Sequence, residues 1–336
     1  MTSLSEPQRG LRQKRFKRNE DAMPMRMTPR DLDALRALAR FRFLSSRQVQ
    51  ALVGGSEQQM LRRLRSLYDH GFIERPRAQL AELAHFFDTG NRPLVYAIAS
   101  KGARSLASNG YGAIDKLDWT TKNARASADF LAHTLETADV MIGFETVCRE
   151  DNALRLVDHH ALLPYLPHET QTDAEPFRLD VEVRVSKAAE PLPIAVIPDR
   201  LFSLLFGSEA RLNFALELDR GTMDVRARQL VGKSSFRRKL LGYWHAWRAD
   251  AHTTRWGFKS FRVLTVTTSE ARIKTMLEAQ CEIVGPQGSN MFAFTTPQRL
   301  VASGPLGPAW ISGKGEALSL CPADWPQVSD SARMRS

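Results

Sequence analysis

The chain has 336 residues, 43% of them hydrophobic and 25% charged, which is long enough for two cores and too apolar for a wholly disordered protein. No apolar run approaches the roughly 20 residues that cross a bilayer, so no membrane-spanning helix and no membrane partner is expected. The formal charge of +10 suits a polyanionic partner.

The opening "MTSLSEPQRGLRQKRFKRNE" has no apolar core behind its basic residues and does not read as a secretory leader. Its run "RGLRQKRFKR" contains no acid. Residues 1–27 therefore read as a flexible basic arm, with Lys14, Arg15, Lys17 and Arg18 as candidate phosphate contacts; a merely solubilising tail would look the same. Cys148, Cys281 and Cys321 are scattered and form no C-x-x-C pair, which argues against structural zinc and a disulfide framework and fits a reducing cytoplasm.

From Thr28 the pattern turns helical. "TPRDLDALRALARF" starts with an N-cap threonine and a proline at the first helical position, then places Leu32, Leu35, Leu38 and Ala39 on one face. "SSRQVQALVG" reads as a second, short helix ending at Gly54–Gly55, and "SEQQMLRRLRSLYDHG" as a third, capped by Ser56. Met60, Leu64 and Leu67 form its inner face; Gln58, Gln59, Arg62, Arg63 and Arg65 fall outside it. Those side-chain types reach base edges and phosphates from a helix in the major groove, although a solvated basic face has the same composition. "FIERPRAQ" and "RPLVYAIAS" read as two strands with a long connection, and "SKGARSLASNG" as a further helix. In this order, residues 28–110 resemble the winged helix-turn-helix domains of bacterial regulators and plasmid proteins, which implies a double-stranded DNA partner.

Residues 111–127 are polar and glycine-bearing, as in a linker. The segment 128–300 then alternates long helical and strand patterns, a mixed α/β layer, and the Gly/Pro/Ser-rich residues 301–336 read as a loosely packed tail. "ALRLVDHHALL" reads as a strand, on which the adjacent histidines of "DHH" point to opposite faces and make no metal site. On the long helix, His133 and Glu136 lie three apart and could face a site, with a core or capping role as the simpler reading. Tyr243, Trp244 and Trp247 lie at helical spacing, as in a packed core, with base stacking as the alternative.

Three acids carry the chemistry. Asp199 follows Pro198 in "AVIPDRLFSL", and Glu217 and Asp219 alternate with Phe214, Leu216 and Leu218 in "NFALELDRGT". On paired strands the three carboxylates could converge as ligands for Mg²⁺ or Mn²⁺, which would polarise a phosphodiester. The spacing resembles the PD-(D/E)xK restriction-endonuclease-like pattern, with Asp199 as its first acid and Glu217 as its second. Asp219 stands where that pattern has lysine, and the resemblance then implies a cation from elsewhere, with Lys239 as candidate beside Arg237 and Arg238. Together with the N-terminal domain, "IPDRLFSL" and "NFALELDRGT" resemble the plasmid replication-relaxation family over residues 28–300.

That resemblance implies a bacterial cytoplasmic protein, associated with a plasmid or the nucleoid, with a second copy of the chain as a candidate partner. Either it is a metal-dependent DNA endonuclease using Asp199, Glu217, Asp219 and Lys239, or it is a replication or transcription regulator with a degenerate nuclease-like domain. No phosphate-binding G-x-x-x-x-G-K-[ST] loop is present, nor the histidine triplet of a tyrosine relaxase.

Overall fold

The computed structural model describes residues 16–80, 93–112, 114–184, 190–207, 210–225 and 235–322. It divides into two compact units, 1–138 and 139–336. The division makes this a mixed α/β protein with a helix-rich first unit, as the sequence pattern predicts.

In the first unit, α1 (Pro29–Phe41) begins with a full capping box, in which Thr28 and Asp31 satisfy each other's backbone. A short strand β1 (Phe43–Ser45) leads to α2 (Ser46–Val53), capped by a second such box between Ser45 and Gln48. Gly54 and Gly55, both at positive φ, turn the chain into α3 (Glu57–Asp69). After it come β2 (Ile73–Glu74), β3 (Val95–Ile98), α4 (Ser100–Ser108) and α5 (Trp119–Ala124). The three strands pair antiparallel in the order β1-β3-β2. The first of the two expected strands is therefore brief: Pro76 cannot continue a ladder, and Arg75 turns inward to lie 3.9 Å over the Tyr68 ring.

Two segments of this unit differ from their composition. Residues 16–27, read as part of a loose arm, have defined contacts with α3 and β2. Arg18 pairs with Glu74 at 2.9 Å, and the Asn19 N–H donates to Asp69 at 3.0 Å. The expected linker 111–127 contains α5, whose Trp119 is buried and whose Asn123 donates to the Ile98 carbonyl at 2.9 Å. Polarity marked its surface; one tryptophan and one amide were enough to anchor it.

The long helix α6 (Ala128–Glu150) contains the division between the units, and its Leu131, Ala132 and Leu135 join a core cluster with Phe43, Val95 and Ala97 of the first unit. In the second unit, β4 (Leu154–Val157) is followed by α7 (His159–Leu162) and α8 (His168–Gln171). "DHH" is thus a helix start and not a strand: Asp158 accepts from the backbone N–H groups of His160 and Ala161 at 3.1 and 3.0 Å.

The strands β5 (Leu179–Val183) and β6 (Leu192–Val196) form a separate antiparallel pair. Then come β7 (Arg200–Phe206), β8 (Ala210–Leu218), α9 (Phe236–Arg248), α10 (Ala251–Trp256), β9 (Arg262–Val266), α11 (Glu270–Val284), β10 (Phe292–Thr295), α12 (Pro297–Ser303), β11 (Trp310–Ser312) and β12 (Ala317–Leu318).

The main sheet has seven strands in the order β12-β11-β10-β9-β8-β7-β4. Strand β7 is antiparallel to both β4 and β8, β8, β9 and β10 run parallel, and β11 is antiparallel to both β10 and β12. Phe202 and Phe214 on one face stack beside Phe144 of α6, with ring centroids 5.0 to 5.2 Å apart. The other face, with Leu201, Ala215, Val263, Phe292 and Phe294, packs with Phe236, Leu240 and Tyr243 of α9 and Ile273 and Met276 of α11. Gly242 lets α9 approach β6 closely, since a Cβ there would collide with Val196 and lie 3.0 Å from Ile194.

Residues 301–322 are not a loose tail. Leu306, Trp310 and Leu320 are buried, the Trp310 indole donates to the Pro305 carbonyl at 2.8 Å, and β11 and β12 extend the sheet. The glycines and prolines there mark tight turns between short edge strands, while the apolar residues do the packing.

Candidate functional site

Asp199 sits immediately before β7 and crosses to the neighbouring strand. Its backbone N–H donates to Leu216 O at 2.9 Å, and its Oδ2 accepts from the Leu218 N–H at 2.7 Å. Between those two backbone groups on β8 lies Glu217, buried and on the face that α9 covers.

Glu217 is fully engaged. The Tyr243 hydroxyl donates to Oε1 at 2.5 Å, and the Lys239 ammonium pairs with Oε2. Both donors come from α9 four residues apart, hence from one helix face. Burial pushes Glu217 up, to about 7; Lys239 opposes that shift and the Asp199 charge adds to it. Burial alone would lower the Lys239 pKa, but Glu217 and Asp199 together raise it. Burial, reinforced by Glu217, also holds the Tyr243 hydroxyl protonated well above its ordinary range. The structure thus brings Asp199, Glu217 and Lys239 together, as the sequence pattern implies, and adds Tyr243. The helical spacing of 239 and 243 was the signal that could have found it.

Asp219 has a different set of partners. Arg272 of α11 grips it with Nε on Oδ2 and with Nη2 at 2.8 Å from Oδ1, and the Thr267 hydroxyl donates to Oδ2 at 2.6 Å. Arg272 also donates to the Met223 carbonyl at 2.6 Å, tying down the turn after β8. Nothing in the local sequence announces Arg272, which lies 53 residues away.

The expected three-carboxylate metal cradle is therefore not formed. Among the described residues, no group of three or more His, Cys, Asp or Glu is placed to hold a metal ion. The reason is chemical: every carboxylate oxygen of Glu217 and Asp219 already accepts from a cation or a hydroxyl of the chain. As arranged, this donor set does not fit a resident Mg²⁺ or Mn²⁺, which needs free hard oxygens. In register beside Glu217 on β9, Thr265 is buried, and among the described residues its hydroxyl has no hydrogen-bond partner.

The basic helix of the first unit divides similarly. Gln58, Gln59 and Arg62 of α3 are exposed. Arg63 instead turns to α1, where Nε donates to the buried Asp31 Oδ1 at 2.7 Å and Nη2 pairs with Oδ2. For Asp31, burial works to raise the pKa, but Arg63 and Thr28 outweigh it and hold the carboxylate below its ordinary value. Arg65 pairs with Asp69 at 2.7 Å one helical turn on. Arg63 and Arg65, expected from their spacing to face DNA, are thus occupied by carboxylates of the same unit. Of the basic arm, Lys17 is exposed and Arg18 is held by Glu74, while Lys14 and Arg15 lie outside the described residues. His133 and Glu136 fall on the first-unit part of α6 and are half-buried. Tyr243 belongs to the core, whereas Trp244 and Trp247 stack at 5.3 Å with Trp247 exposed.

A family model described as replication-relaxation matches residues 35–260, about two thirds of the chain. The chain belongs to the replication-relaxation family. No curated protein and no solved structure matches it. Among the described residues, no helix is long and apolar enough to cross a membrane. Membership in this family points to a role in replication, and the matched residues include both α3 and the acid-bearing strands β7 and β8.

Proposed function

We propose that this protein binds double-stranded DNA in the replication of a plasmid or similar mobile element, through a winged helix-turn-helix in its first unit. The observation that carries this reading is α3. It is the third helix of a capped helical set flanked by an antiparallel three-stranded sheet, and it exposes Gln58, Gln59, Leu61 and Arg62 while Met60, Leu64 and Leu67 face inward. Exposed amide and guanidinium groups on such a helix are suited to the major groove. The replication-relaxation family and the net positive charge support the same partner. Electrophoretic mobility shift with the full chain and plasmid fragments tests this: retarded duplex, weakened in Gln58→Ala, is expected, and unretarded duplex at every protein concentration overturns it.

In this reading the second unit is a scaffold that does not cut DNA, because internal cations and hydroxyls close the oxygens of Glu217 and Asp219. A second reading, a nuclease of PD-(D/E)xK type, is favoured by one observation: α6, β4, β7, β8, α9 and β9 follow the chain order of such a core, and Lys239 brings a cation to Glu217 beside Asp199. A divalent ion would have to displace Lys239 there. Incubating supercoiled plasmid with Mg²⁺ or Mn²⁺ and either wild type or Glu217→Ala separates the two. Nicking by wild type alone establishes the nuclease; intact supercoils with both establish the scaffold.

A further inference from the structure

Beside α3, the first unit has a concavity of about 630 Å³ lined by Arg30 and Asp33 of α1, Val53 of α2, and Gln59, Arg62 and Arg63 of α3. Its charges sort into two kinds. Asp33 pairs with Arg36 at 2.8 Å, and Arg63 is held by the buried Asp31. Arg30 and Arg62 are both exposed, and among the described residues neither has a carboxylate partner.

Arg30 nevertheless has a defined place. Its guanidinium lies over the turn between α2 and α3, where a Cβ on Gly55 would come within 2.9 Å of Nη1. The glycine, at φ +84, provides both the turn and the clearance. Two guanidinium forks therefore border one hollow, with the Gln59 amide as a neutral donor between the helices. Guanidinium forks match the paired oxygens of a phosphodiester better than they match any neutral group. A site bordered by one residue from each of two helices also fixes the angle at which α3 meets a duplex.

We infer that this hollow seats one backbone phosphate of duplex DNA between Arg30 and Arg62. Arg62 is then a phosphate contact that sets the register of α3, and base discrimination falls to its neighbour Gln58. This rests on the DNA-binding reading above and adds Arg30, which the sequence pattern of α3 does not reveal.

The test is fluorescence anisotropy of the full chain with two labelled duplexes of unrelated sequence, at a series of salt concentrations. Arg30→Ala and Arg62→Ala should each weaken binding about tenfold, by the same factor on both duplexes. Each should also flatten the dependence of log affinity on log salt by up to about 0.9, the effect of one phosphate no longer neutralised. Arg30→Lys should retain the wild-type salt slope, and unchanged thermal melting of the three variants would show that the fold is intact. Wild-type affinity and slope in Arg30→Ala overturn the seat while leaving DNA binding in place. So does a change in the affinity ratio of the two duplexes with Arg62→Ala at constant slope, because that marks a base reader. Absence of wild-type binding to either duplex removes the DNA-binding reading itself.

Discussion

Both units bury a carboxylate against a cation, yet the two sites behave differently. In the first, Asp31 meets the fork of Arg63 and two donors from Thr28, and it keeps its charge easily. In the second, Glu217 meets a single ammonium and a phenol with another carboxylate close by, and its proton is held up to about 7. The contrast teaches that burial pushes both acids up and the donors around each decide the outcome: at Glu217 burial prevails, with Lys239 opposing it and Asp199 adding to it, whereas at Asp31 the fork of Arg63 and the Thr28 donors outweigh it.

The largest expected effects come from breaking each joint. Glu217→Ala should cost about 3 kcal/mol, since Lys239 loses the partner that offsets its burial, and Asp31→Ala about the same, because it also removes half of a capping box. Urea unfolding monitored by circular dichroism checks both, and a loss below about 1 kcal/mol would mean that water replaces the missing carboxylate.

The pH dependence should then have opposite signs. Asp31 has a lowered folded-state pKa, so its contribution is present above its ordinary value of 3.8 and is lost as pH falls through the folded value. Glu217 has a raised one, so its proton stabilises the folded state at low pH and that contribution is lost as pH rises from 4.5 to about 7. Comparing urea midpoints across pH for wild type, Asp31→Asn and Glu217→Gln should show the first difference shrinking on acidification. The second should move in favour of Glu217→Gln between those two values; parallel curves would end the distinction between the sites.

Smaller effects sharpen it further. Thr265→Val removes a buried hydroxyl that has no partner among the described residues and should stabilise by about 1 kcal/mol; a lowered urea midpoint would show that the hydroxyl is hydrated in solution. Arg62→Ala should change stability by less than about 0.5 kcal/mol, in contrast to Arg63→Ala on the same helix, which frees the buried Asp31.

Much of this was legible before any coordinates. The caps at Thr28 and Ser56, the glycine turn at 54–55 and the apolar spacing of α1 and α3 are local signals, and each marks its element; for α2 the sequence offers Ser45 and Ser46 equally. The convergence of Asp199 and Glu217 follows from paired strands of period two, and Lys239 enters only through the PD-(D/E)xK resemblance, beside Arg237 and Arg238. The partners of Arg63 and Asp219 were not legible, because a salt bridge across 32 or 53 residues leaves no periodic trace. Strand β5 is hard to read from sequence although Leu179, Val181 and Val183 alternate, because its five residues lie in a polar stretch. The packing of 301–322 is hidden for the opposite reason: glycine and proline suggest looseness where they mark corners.

Gly242 has a consequence for how this protein can drift in sequence. Because even a methyl group there meets Val196 and Ile194, residue 242 and the two hairpin positions are free to vary only as a set. Gly242→Ala should be tolerated far better with Val196→Ala than alone. In relatives of this chain, a larger side chain on the helix should be accompanied by a smaller one on the hairpin. Such compensated pairs would reveal, from sequences alone, which members keep a lysine one turn earlier at the same depth.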